Sequence, residues 1–341
     1  MPTSQSTVAV VGLGGTIAMT ATPDGGVAPA LSAEQLVAAV PGLADTGITI
    51  EVADFRRVPG ASLTFADLTA LADTIRRLCA KGVDGVVVTQ GTDTIEETAY
   101  FLDLRLDLPQ PVVVTGAMRN PTLAGADGPA NLLAAVRTAA SPTTRNLGCV
   151  VVFADEIHAA HRVRKTHTTT CATFASPDGG PLGHLVEGTP RILNHTTRHP
   201  MPAGIDTRGD VRVGLVTATL GDDGHHLSTL DGHVDGLVVA AFGAGHVPAT
   251  WIDPLDKLAR RVPVVLASRT GSGPVLTATY GFPGSERDLL DRGLVNAGFL
   301  HPLKARILLH ALLSADADHD TITAAFADAG HTTPGDRHPQ P

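Results

Sequence analysis

Cysteine is scarce in this 341-residue chain: only Cys79, Cys149 and Cys171 occur. They are far apart, odd in number and form no C-x-x-C pair. Neither a disulfide framework nor a cysteine zinc site is expected, and a reducing compartment fits. Positive charge is also short, with a formal net charge of -9. That argues against nucleic acid or an anionic membrane as partner, because both want clustered Lys and Arg. No apolar run is long enough to cross a bilayer. The N-terminal stretch "MPTSQSTVAVVGLGG" has no basic segment followed by a long apolar one, so no secretory signal is read there. A soluble, cytoplasmic protein is the expectation.

Three motifs are missing as well. "GLGGTIA", 12–18, begins like a dinucleotide fingerprint, but Ile17 stands where the third glycine must allow close helix–strand packing. No G-x-x-x-x-G-K-[ST] phosphate loop occurs, and no serine lies in a G-x-S-x-G elbow. Fifteen histidines invite a metal reading. On a helix, "DEIHAAH" would present His158 and His161 on one face with Glu156 nearby. A third ligand at suitable spacing is missing, so no metal is expected.

What remains is a globular α/β pattern. With 43% hydrophobic and 17% charged residues the chain can bury a sizeable core. Short β-branched runs at 7–12, 48–54, 84–89, 111–115, 147–153, 212–217, 235–242 and 262–267 read as strands. Helical patterns such as "SAEQLVAAV" and "FADLTALADTIRRLCAKG" alternate with them. This alternation predicts a mainly parallel sheet with helices on both faces, and ligands beyond the carboxyl ends of its strands. The Pro- and Gly-containing segment 194–210 reads as a linker. It divides an N-terminal domain, 1–193, from a C-terminal domain, 211–341.

Two strand ends are unusually polar. "VVGLGGTIA" ends a strand with Gly14, Gly15 and Thr16; "VVVTQGTDT" ends another with Gly91, Thr92 and Asp93. Glycines there let a ligand approach the backbone, and free N–H groups can hold an oxyanion. A threonine after such a glycine is ordinarily a helix cap. It becomes a nucleophile when a base takes its proton. Lys165, in "HRVRKTHTTT", can be that base in a partly buried site, and Asp93 can orient it or bind a substrate ammonium. The residues alone reach a hydrolase with a threonine nucleophile.

"GGTIA", "QGTDTIEETAYFLDL", "TGAMRNPTLAGADGPANLLAAV", "RKTHTTTCATFASPDGGPLGHL" and "NAGFLHPLKARILL" run in order from residue 14 to residue 309. Together they resemble the bacterial-type L-asparaginases. The resemblance implies a two-domain asparaginase-like α/β fold: a flavodoxin-like N-terminal domain and a smaller α/β C-terminal domain. It also implies a homotetramer of intimate dimers with sites shared between subunits, and no cofactor. The substrate implied is L-asparagine, hydrolysed to L-aspartate and ammonia through an acyl-threonine ester. Thr16 matches the attacking threonine. Thr92, Asp93 and Lys165 match a second triad, in which Thr92 holds or activates water, Lys165 is its base and Asp93 takes the substrate α-ammonium. The resemblance leaves open which threonine attacks first. The backbone around Ala117 would receive the leaving nitrogen. Glu286, in "PGSERDLL", matches an acidic residue lent by a neighbouring subunit.

The chain departs from the family pattern at three places. The loop "MTATPDGGVAPA" lacks the usual tyrosine; the only tyrosines are Tyr100, read as packing, and Tyr280, six residues before Glu286. Where the family often binds the substrate carboxylate through a serine, the motif falls on Gly60, followed by Ala61 and Ser62; backbone N–H groups or Ser62 take that role, and Gly91 is counted with the substrate-binding residues. His246, in "GAGH", falls where relatives have Asn or Ser, and would tune side-chain length selectivity. Glutamine, D-asparagine or mixed specificity, and a non-catalytic amino-acid-binding protein on the same scaffold, remain the alternatives.

Overall fold

A computed structural model describes residues 6–15, 17, 19–21, 27–29, 32–201 and 210–330. The chain forms two compact units, Met1–Ala203 and Gly204–Pro341. In the first, the strands are β1 (Thr7–Gly12), β2 (Met19–Ala21), β3 (Val27–Pro29), β4 (Thr49–Asp54), β5 (Gly85–Thr89), β6 (Val112–Thr115), β7 (Cys149–Phe153), β8 (Glu156–Ala159), β9 (Arg164–Lys165), β10 (Phe174–Ala175), β11 (Gly183–Val186) and β12 (Thr189–Ile192). Its helices are α1 (Ala33–Ala38), α2 (Phe65–Ala80), α3 (Ile95–Arg105) and α4 (Gly128–Ala140).

Eight strands form one sheet in the order β12-β11-β8-β7-β6-β5-β1-β4. The five from β4 to β7 pair in parallel. Numbered along the chain among themselves, they run 2-1-3-4-5, the flavodoxin-like order, whose switch point lies between the first and third strands. Their sequences, such as "GVVVT" and "CVVVF", are apolar on both faces and fully buried, as a sheet covered by helices on both sides requires. Alternate residues Val87, Val113, Val150 and Val152 share one core with Leu132, Ala135, Val136 and Ala139 of α4. The first two helices begin on side-chain caps. Ser32 and Gln35 form a capping box on α1, and Thr64 and Asp67 one on α2.

The antiparallel part was not foreseen. The stretch considered as a helical face for His158 and His161 is instead strand β8, paired antiparallel with β7. The hairpin turn uses Ala154 and Asp155, both at positive φ. His158 is wholly buried, between Glu156 at 3.2 Å and Ser176 at 3.0 Å. His161 lies beyond the strand, bonded to Thr196. Among the described residues no group of three His, Cys, Asp or Glu is arranged to hold a metal ion.

The second unit carries a four-stranded parallel sheet of β13 (Val213–Thr217), β14 (Gly236–Ala241), β15 (Val264–Ser268) and β16 (Val295–Asn296), in that order. Its helices are α5 (Ile252–Ala259), α6 (Glu286–Asp291), α7 (Pro302–Ser314) and α8 (His319–Ala329). Leu237, Val239 and Leu266 pack with Trp251, Leu255 and Leu289. Among the described residues no helix is long and apolar enough to cross a membrane.

Candidate active site

The parallel register assembles the first unit's site. Gly12 of β1 lies opposite Asp54 of β4 and Thr89 of β5, and Thr89 lies opposite Thr115 of β6. Four strands therefore end level, at the switch point. The segments that follow are Leu13–Gly15, Phe55–Ser62, Gln90–Asp93 and Gly116–Ala117. Gly14 and Gly15 adopt φ of 92° and 87°, which a side chain resists. A Cβ on Gly15 would stand 2.0 Å from the nitrogen of Gly91. Gly60 is less tightly set: its Cβ would meet Gly91 O and Thr94 Oγ1 at 3.1 Å.

Thr92–Thr94 form a short 3₁₀ turn that runs directly into α3. Thr92 is buried, whereas Asp93 is 67% exposed. Lys165 reaches both. Its Nζ donates to Thr92 Oγ1 at 2.9 Å and to Asp93 Oδ1 at 2.8 Å. Lys165 sits on β9, which pairs with β10, where Phe174 is buried against the ring of Phe153. The lysine stem is thus held on packed structure, with the side chain 17% exposed.

The turns around this fork are fixed by buried and half-buried polar side chains. Gln90 Nε2 donates to Gly91 O and to Thr94 Oγ1, and Thr94 Oγ1 donates to Gly60 O at 3.1 Å. Gly60–Ser62 make a 3₁₀ turn in which Ala61 and Ser62 face solvent. Ala117 is buried. Its neighbours Met118 and Arg119 donate their N–H groups to the Asp127 carboxylate. Asn131 Nδ2 donates to Gly116 O at 3.0 Å and to Asp127 Oδ2, while Asn131 Oδ1 accepts from Ala154 N.

Thr92, Asp93, Gly60, Gly91 and Ala117 are therefore positioned by neighbouring strand ends of one sheet, and Lys165 reaches them from the separate β9–β10 pair. Thr16 lies outside the described residues, as do residues 18, 22–26, 30 and 31 of the loop that follows it. Glu286 and His246 lie in the second unit, beside each other. Glu286 is wholly buried; its Oε1 accepts from Thr279 N and Tyr280 N, and its Oε2 faces His246 Nε2 at 3.2 Å. The His246 ring is edge-on to Tyr280 and Phe282. Tyr100 is buried in α3, as packing requires.

Sequence reasoning passed over Glu96, Gln90, Thr94, Asp127 and Asn131. Gln90 and Thr94 lie inside the second threonine motif, and Asp127 and Asn131 inside "AGADGPAN". Their signal was position within a polar strand-end segment, which does not tell a side chain that holds the loop from one that faces ligand.

Residues 7–198 match the family model "Asparaginase, N-terminal", and residues 212–326 match "Glutaminase/Asparaginase C-terminal domain". The chain is 38% identical over 329 residues to a "Probable L-asparaginase" of Deinococcus radiodurans, covering 96% of this chain and 98% of that protein. It is 38% identical over 267 residues to a "Probable L-asparaginase periplasmic" of Haemophilus influenzae, covering 76% and 74%. Its fold matches the crystal structure of a "Probable Cytoplasmic L-asparaginase" from Campylobacter jejuni with a TM-score of 0.85. The two are 33% identical, and the match covers 95% of this chain and 100% of that one.

Proposed function

Since the chain belongs to the asparaginase family, we propose that it hydrolyses the side-chain amide of L-asparagine to L-aspartate and ammonia. The observation that carries the reading is the Lys165 fork onto Thr92 and Asp93. A protein that only binds an amino acid has no use for a lysine held against a threonine hydroxyl.

In the proposed course, the Thr16 hydroxyl attacks the amide carbon. The hydroxyl proton passes to the departing nitrogen, the C–N bond breaks, ammonia leaves, and a β-aspartyl ester on Thr16 remains. The backbone around Ala117 receives the leaving nitrogen. Thr92 then holds water. Lys165, in its neutral form, accepts a proton through Thr92 Oγ1 as that water attacks the ester. The ester's C–O bond breaks, the proton taken up by Lys165 passes to the released Thr16 oxygen, and aspartate departs. Amide plus water gives acid plus ammonia, so the balance needs no cofactor. Asp93, exposed beside the fork, takes the substrate α-ammonium, and the Gly60–Ser62 turn with Gly91 takes the α-carboxylate.

Glu286 and His246 belong to a neighbouring subunit's site in this reading, within a homotetramer of intimate dimers, and the protein works in the cytoplasm. One methylene shifts binding by only about 1–3 kcal/mol, so L-glutamine is the rival substrate to measure beside L-asparagine. Ammonia release from L-asparagine, D-asparagine and L-glutamine by pure protein tests the reading. No release from any of the three would overturn it.

A further inference from the structure

The Lys165 fork explains where the ammonium goes, but a long flexible stem does not aim itself. The main-chain N–H of Lys165 donates to Glu96 Oε1 at 3.1 Å. Glu96 lies in the first turn of α3, the helix that follows directly on Thr92 and Asp93. Three residues from one helix start therefore hold the lysine at both ends: Thr92 and Asp93 at Nζ, Glu96 at the backbone nitrogen. β9 is only two residues long and pairs with β10 alone, so the Glu96 bond ties this backbone to the helix that follows Thr92 and Asp93.

We infer that Glu96 is a positioning residue for Lys165. It sets the start of the lysine stem at the distance from which Nζ meets Thr92 Oγ1, so its effect falls on the base and not on substrate affinity. The inference rests on the reading above that Lys165 serves as a base.

Glu96 is only 6% exposed, and among the described residues nothing bonds to its Oε2. A buried carboxylate costs desolvation, which a single hydrogen bond offsets only in part. Charge for the helix N-terminus is available more cheaply from Glu97, the next acidic residue of that first turn. What Glu96 adds is reach toward Lys165 N.

The test is steady-state hydrolysis of L-asparagine by full-length wild type, Glu96→Gln, Glu96→Asp and Glu96→Ala, with thermal unfolding of each. Gln keeps both the length and an acceptor oxygen. Asp keeps the charge but withdraws the acceptor by one methylene. The expected result is that Gln stays within about threefold of the wild-type kcat. Asp and Ala should fall by about 10–100-fold in kcat with KM within about threefold, as a slight misplacement of a catalytic group produces. If Ala fails to fold, the Gln–Asp pair still decides. An Asp variant as fast as wild type, a Gln variant as slow as Asp, or a loss carried by KM would overturn the inference. A lowered Tm with kcat unchanged would do the same. A wild type that releases no ammonia sinks both readings; an active wild type with an unimpaired Asp variant sinks this one alone.

Discussion

Gly15 and Gly91 touch through bare backbone: a Cβ on Gly15 would lie 2.0 Å from Gly91 N and 2.4 Å from Gly91 Cα. The segments that follow β1 and β5 are thereby packed so closely at Gly15 and Gly91 that no side chain fits between them. Gly15→Ala meets two obstacles at once, this clash and a φ of 87°. The expected outcome is a fall in kcat of about 100-fold or more, with a lower Tm, since displacement of about 1 Å is that damaging. Ammonia release and a melting curve check it; a fully active Gly15→Ala would show that the contact is dispensable.

Lys165 and Thr92 are expected to act as one unit. Lys165→Met and Thr92→Val should each lower kcat strongly, and the double variant should lose hardly more than the worse single one. Multiplying losses in kcat would mean that the two serve separate steps.

The parallel core was legible because "GVVVT" and "CVVVF" are continuous β-branched runs of strand length, bounded by helical patterns. β8, β11 and β12 were not legible. "EIHA" reads equally as a helical fragment, and "TPRI" carries Pro190, a residue that argues against a strand anywhere but at an edge. β12 is that edge. In the site, the Gly14–Gly15 and Gly91–Thr92 segments were visible as polar strand ends. The meeting of Lys165 with Thr92 spans 73 residues; no spacing rule reaches that far, so the residues alone offered Lys165 as a base by its chemistry, and the family resemblance assigned it to Thr92. Glu96 stayed hidden because a glutamate at a helix start has an ordinary explanation in the helix dipole.

The Ala117 segment depends on Asn131, a buried side chain bonded to Gly116 O and Ala154 N. Asn131→Leu fills the same space but leaves the buried Gly116 carbonyl without that donor. The expected cost is about 1–3 kcal/mol of stability, accompanied by a lower kcat. Denaturant unfolding and ammonia release measure the two together. Stability lost with kcat intact would separate this loop from the departing nitrogen.

His310, buried in α7 of the second unit, has its pKa pushed from 6.5 to about 4, first by burial and then by the Arg306 charge. The sign follows from linkage. Above pH 6.5 the ring is neutral whether the chain is folded or not. As the pH falls from 6.5 to 4 the unfolded chain takes up a proton that the folded chain refuses, so stability is lost across that window. His310→Gln should show a shallower fall in Tm between pH 7 and pH 4 than wild type. Equal slopes would assign the acid sensitivity to other groups.

Glu286 is held by Thr279 N, Tyr280 N and His246, yet the proposed function gives it to a neighbouring subunit's substrate ammonium, an attraction between opposite charges. The two demands are reconciled if the backbone donors aim the carboxylate and His246 yields its place when substrate arrives. Subunit exchange tests this directly. Thr16→Ala and Glu286→Gln are first measured alone, and both must be severely impaired. The two chains, carrying different tags, are then co-expressed and the mixed oligomers purified. With shared sites, a mixed pair has one site collecting both defects and one collecting neither, so activity should return. If Glu286 serves only its own chain, each site keeps one defect and the mixture stays as weak as its parents. Activity that fails to return in verified mixed oligomers would remove Glu286 from the shared site and leave it as the clamp on the 279–286 loop.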